Sequence, residues 1–180
     1  MNMKYKIILG IVAALILAGI VFSIFHRPNL LWAQKPPAPG VYITKKQLAD
    51  VGYSTPEAAL ETMTWAMVNA NYDKTVESFA PEMQAEMKKD PNVRNQFESA
   101  MKRGAPSFKG MQIVAKKTIA NDKVDFKYFH DTTRASNPDS KYRFQVMVKI
   151  GSEWKLGGGT RGGFMPDWDN SSNIVVFVAQ

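Results

Sequence analysis

The sequence predicts an α+β domain, with helices packed on a curved antiparallel sheet, behind a single apolar N-terminal segment. Three observations predict it. Residues 7–25 are uncharged, with Ser23 their one polar side chain. Apolar side chains then recur every three or four residues between 55 and 104. From residue 111 the repeat shortens to two.

The apolar segment comes first. A nineteen-residue helix over residues 7–25 would rise ~28 Å at ~1.5 Å per residue, close to the ~30 Å hydrocarbon core of a bilayer. Only a helix satisfies its own backbone inside lipid, so the segment reads as a single-pass transmembrane helix, a signal anchor. A cleaved signal peptide is the competing reading. Its hydrophobic region is typically ~7–15 residues and ends at a small-x-small site, whereas Leu31 stands two positions before Ala33. Attachment by a lipidated cysteine is excluded, because the chain has no cysteine. Gly10, Ala14 and Ala18 form a small-residue stripe that would let two such helices approach, a route to a homodimer.

Charge divides the chain. Residues 1–49 hold Lys4, Lys6, Arg27, Lys35, Lys45 and Lys46 and no acidic residue, so most of the net charge of +7 lies there. The remainder is nearly neutral, which argues against a nucleic-acid interface on the folded domain. Lys4, Lys6 and the amino terminus outnumber Arg27 and Lys35 close behind the span. That margin predicts a cytoplasmic N-terminus and an extracytoplasmic (periplasmic or extracellular) domain. The expected organisation is a short cytoplasmic start at 1–6, the span at 7–25, a juxtamembrane linker at 26–49 and the domain at 50–180. Pro36, Pro37 and Pro39 make the linker stiff and extended.

Thr55-Pro56-Glu57 opens the first helix with a hydroxyl cap, a proline at the first helical position and an acid in the first turn. Ala59, Met63, Ala66 and Met67 carry its apolar repeat. A short helix is expected from Asp73 to Phe79, a third from Pro81, and a fourth over 92–102 after Asp90-Pro91, with Phe97 and Met101 four apart. Strands are expected at 111–120, 123–131, 141–150, 154–156 and 173–179, the first two joined at Asn121-Asp122. In the third, Tyr142, Phe144, Val146, Val148 and Ile150 share the apolar face, opposite Arg143 and Gln145. In the second, Val124, Phe126, Tyr128 and His130 share a face.

Tyr53-Ser54-Thr55-Pro56-Glu57-Ala58-Ala59, Asn71-Tyr72-Asp73 and Phe79-Ala80-Pro81-Glu82, in that order, resemble the opening of the NTF2-like (cystatin-like, SnoaL-like) superfamily. The resemblance implies a cone whose sheet wraps a long helix around a pocket. That superfamily holds isomerases, dehydratases, cyclases and domains without activity, so it does not select a function. The implied pocket would be lined by Trp65, Phe126, Tyr128, Phe144 and Val146. The layout is also similar to that of type IV secretion assembly factors, whose sequence motifs are absent.

No catalytic constellation is legible. An isomerase site needs a carboxylate base and a tyrosine or protonated acid in one pocket, and strict alternation puts Asp125 and Asp131 on the face opposite Tyr128. Glu57 and Glu61 are expected at the exposed start of the first helix. His130 has no orienting acid on its own face and is expected at the rim. Gly157–Gly163 lacks the Gly-Lys-Ser/Thr and following helix of a phosphate loop. It reads as a bulged strand or lip that offers Arg161, Phe164 and Trp168 to a ligand or partner. No metal site and no cofactor are expected. The sequence thus reads as a membrane-anchored, non-enzymatic extracytoplasmic module that binds a small hydrophobic ligand or an envelope protein. The alternative is a SnoaL-like enzyme acting on a hydrophobic small molecule.

Overall fold

Thr55 caps the first helix as its sequence predicts: its side chain accepts a hydrogen bond from the Ala58 amide at 3.1 Å, with Pro56 next to it. The computed structural model describes residues 40–134, 141–158, 161–162 and 174–177. Within it, strand β1 (Ile43–Thr44) precedes helices α1 (Pro56–Val68), α2 (Tyr72–Glu77), α3 (Pro81–Lys89) and α4 (Pro91–Gly104). A short 3-10 turn, Ala105–Ser107, leads into β2 (Phe108–Ala120), β3 (Lys123–Thr132), β4 (Tyr142–Ile150), β5 (Glu153–Leu156), β6 (Arg161–Gly162) and β7 (Ile174–Val176). Each helix start has a local cause. Asn71 caps α2 by accepting from the Lys74 amide, and Asp90 caps α4 by accepting from the Asn92 amide just before Pro91. Thr55→Ala should lower the unfolding free energy by about 1 kcal/mol, with Thr55→Ser near wild type in the same urea titration.

All strand pairs are antiparallel, in the order β1-β2-β3-β4-β5, with β6 added to β4 and β7 to β2. The helices pack on one face of this curled, half-barrel sheet, as expected for the α+β class. α1 is buried almost all round, from Pro56 through Ala66, which explains its lack of a one-sided apolar stripe. The central core joins Leu60 and Met63 of α1 to Phe108, Met111, Ile113, Val124, Phe126, Tyr128, Met147, Trp154 and Leu156. The β5 edge is not left open. The amides of Trp154 and Leu156 donate to Tyr53 and Ser78 carbonyls, and the Ala80 amide donates to Leu156.

Two features depart from the expected alternation. Phe126 pairs with Gln145 and Val124 with Met147, so Gln145 and Met147 face the helices and are fully buried. Phe144 lies instead on the outer face, buried with Ala115 and packed by Ile174. Val146 shares that face, opposite Asp125. The apolar row of β4 was expected inside. The register with β3 decides otherwise, since a one-residue shift exchanges every side chain between faces. The apolar row of β4 is thus the outer one, where Phe144 is buried and Val146 and Val148 are half-buried.

The second departure is a bulge in β2 between Ile113 and Ala115. Before it the odd residues Met111 and Ile113 enter the core. After it Lys116 pairs with Phe126 on the inner face, and Ala115 turns outward. Lys116 Nζ then meets Glu57 of α1 at 3.0 Å. β1 crosses β2 where β2 carries Gly110. A Cβ there would lie 2.5 Å from the Ile43 carbonyl oxygen and from the Tyr42 ring, so the close approach needs a glycine.

Candidate cavity at the end of the first helix

Where α1 ends, Met67 and Val68 face Phe97, Ala100, Met101 and Gly104 of α4, across a gap closed by Ala105, Ser107, Phe108 and His130. The cavity is half open to solvent and has a volume of about 200 Å³. Its position follows from the fold. α4 packs on the end of α1, and the 3-10 turn carries the chain directly from α4 into β2, which places Phe108 beside its β3 neighbour. The Phe108 and His130 rings are 4.9 Å apart, tilted at 51°. Phe97 also packs edge-on against Tyr72, centroids 6.1 Å apart, which fixes the α4 wall.

The polar atoms of the turn are already engaged. Ser107 Oγ donates to the Gly104 carbonyl, and Thr132 Oγ1 donates to Ser107 Oγ. Lys45 Nζ donates to the Ala105 carbonyl at 2.7 Å, and the Thr133 amide to that of Ser107 at 2.9 Å. His130 differs. Its Nδ1 is buried with no hydrogen-bond partner among the described residues. Burial first, and Arg143 second, push its pKa down to about 4, against a smaller opposing pull from Asp131. The ring is therefore neutral at physiological pH.

The acids nearby are occupied elsewhere. Asp131 accepts from the Tyr42 hydroxyl at 2.9 Å and pairs with Lys141 at 3.2 Å, which together hold its pKa down. The same contact, with burial ahead of it, raises Tyr42 to about 12. Glu61 was expected at an exposed helix start. It is buried instead, accepting from the Ala49 amide at 3.1 Å, and burial raises its pKa. It pins residues 48–53 against α1, together with Thr62, which accepts from Val51 and donates to Gly52.

Of the pocket and rim candidates named from the sequence, His130 alone among the described residues lines this cavity. Phe126 and Tyr128 point to the helix side, as expected, but fill solid core. Trp65 packs partly buried against that core, while Phe144 and Val146 are corrected to the outer face. Arg161 lies in β6 opposite Phe144 in register. Phe164, Trp168 and the stripe of Gly10, Ala14 and Ala18 lie outside the described residues. The cavity lining was missed because it gathers residues from five separate elements. The one signal of it was the Phe97–Met101 pair on α4.

Comparison with known proteins adds little to this geometry. No family model matches the chain, and no curated protein does. Among solved structures, the chain is similar to a SEC-C motif containing protein from Rhodopseudomonas palustris. The two are 12% identical, with a TM-score of 0.49, over 62% of this chain and 80% of that one. The expected membership of the NTF2-like superfamily is corrected: no family model supports it, and the solved structure found is a SEC-C motif protein. Short, degenerate segments such as Thr55-Pro56-Glu57 mark a helix start in any fold, which is why they misled. The expected transmembrane helix, at residues 7–25, is a separate matter. Among the described residues no helix is long and apolar enough to cross a membrane, and residues 7–25 lie outside them.

Proposed function

We propose that this domain is a non-catalytic module that binds a small hydrophobic ligand in the cavity between α1, α4, β2 and β3. The observation that carries the reading is the lining itself: Met67, Val68, Phe97, Met101 and Phe108, with neutral His130 among them. Small-molecule sites are typically concave and apolar, with a few polar groups to fix orientation. Catalysis would need a partner for the histidine. Among the described residues none bonds its buried nitrogen, and Asp131 is held by Tyr42 and Lys141.

Toluene tests the reading on the full-length chain. A free concentration a hundredfold above Kd should stabilise the protein by about 2.7 kcal/mol, seen as a rise in Tm. Ala100→Trp, at an exposed position on the cavity wall, should abolish the rise while the protein stays folded. No rise in the wild type would remove the ligand-binding reading.

The extracytoplasmic location is proposed on charge and hydropathy alone. Ser152→Cys, in the exposed turn between β4 and β5, should react with a membrane-impermeant maleimide on cells whose outer barrier is opened. Reaction only after the inner membrane is broken would place the domain in the cytoplasm.

A further inference from the structure

On the reading that this cavity binds a ligand, we propose that its occupant is a single-ring apolar molecule carrying one neutral hydroxyl, a simple phenol, with His130 as its polar partner.

Size sets the first limit. An apolar cavity of about 150 Å³ holds one benzene ring, so a volume of about 200 Å³ takes one ring and a substituent of a few atoms within its walls. The walls set the second. Phe97, Phe108 and the His130 ring offer aromatic faces and edges, and Met67 and Met101 offer thioethers, which favour an aromatic ring over an aliphatic one of equal area.

Polarity sets the third. The side chain and carbonyls of the turn are engaged by Thr132, Thr133 and Lys45, which leaves the imidazole as the lining group with unmet hydrogen-bonding capacity among the described residues. A neutral imidazole carries one donor and one acceptor, and whether the nitrogen that meets the ligand donates or accepts depends on the tautomer. A hydroxyl both donates and accepts, so it meets either tautomer, whereas an ether or a bare amine hydrogen meets one. Charge sets the fourth limit. The lining contains no lysine, arginine, aspartate or glutamate, so a carboxylate or an ammonium would be desolvated with no counter-ion in the lining itself.

The test measures toluene, phenol and benzoate binding to the full-length protein, with free ligand fixed by equilibrium dialysis. Phenol should bind at least as tightly as toluene, despite its greater affinity for water, and benzoate at least a hundredfold more weakly. In His130→Leu the ratio of phenol to toluene affinity should fall at least tenfold, and His130→Gln should restore part of it. Because the two ligands are compared within each variant, a general loss of packing moves both and leaves the ratio alone. An unchanged ratio in His130→Leu overturns the role of the histidine and the phenol assignment, while toluene binding keeps the cavity reading intact. Failure of all three ligands removes both.

Discussion

Replacing Phe126 by alanine will remove about 3–5 kcal/mol of stability, the range for truncating a large aromatic side chain in a well-packed core. Phe126 is fully buried at the centre of the sheet, in the same cluster as Leu60, Met63 and Met147. For a domain whose total stability is on the order of 5–15 kcal/mol, that loss is a large share of the whole and lowers the midpoint of a urea titration in proportion. A companion pair on β4 checks the register. Met147→Ala, also fully buried, should cost about 2–5 kcal/mol. Val148→Ala, half-buried on the other face beside Gly157, should cost less than about 1.5 kcal/mol. Equal losses at the two positions would return β4 to the opposite parity and remove the register with it.

The second large effect is a loss of stability in mild acid. In the unfolded chain His130 titrates near 6.5, and in the folded domain near 4. Between those values the unfolded chain takes up a proton that the folded one refuses. The stability contributed by the neutral ring is complete above pH 6.5 and is lost as the pH falls toward 4. At ~1.4 kcal/mol per pH unit the full loss is about 3 kcal/mol. Arg143 deepens the effect and Asp131 opposes it. Glu61 acts in the other sense, because protonating a buried carboxyl relieves its desolvation as the pH falls. The quantity to measure is therefore the difference between wild type and His130→Gln at pH 7.0 and at pH 4.5. A difference that does not change between those two pH values would show that the ring is solvated, and the cavity lining would need revision.

The helices were legible because their starts are written locally. Thr55-Pro56 forms the cap its sequence predicts, and Asp90-Pro91, expected only as a break between two helices, also supplies the cap of the second of them. Asn71 caps the second helix through its side-chain oxygen, so that helix opens at Tyr72, one position before the expected Asp73. The strands were legible by period, but their faces were not. Phe144, Val146 and Val148 look like a core row until Ile174 and the Lys127 side chain, which lies 5.8 Å from the Phe144 ring, are known to cover Phe144 on the outer face. The bulge after Ile113 hides in the same way. Lys116 and Lys117 are adjacent and chemically alike, and nothing local says which of them turns inward to Glu57. The two-residue β1 escaped notice because Ile43–Thr44 is too short to show any period.

The cavity was the least legible feature of all. Val68, Phe108 and His130 are brought together only by long-range packing. Glu61 shows the same limit from the other side. Its charge suggested solvent, and the segment that buries it belongs to residues 48–53.

β1 has a mechanical meaning. From Gly40 to Lys45 the chain is fastened to β2 in series, by the Gly40 amide to Ile113, the Gly40 carbonyl to Gln112, the Ile43–Met111 pairing and the Lys45 amide to Lys109. Tyr42 adds a clasp across the sheet to Asp131. These bonds stand perpendicular to the strand. A force that reaches the domain along β1 from the residues before Gly40 therefore loads them together, in shear, rather than peeling them one at a time. The fastening is short, but it is placed so that the strap yields as a unit and the hydrophobic core behind it is the last thing to feel the pull.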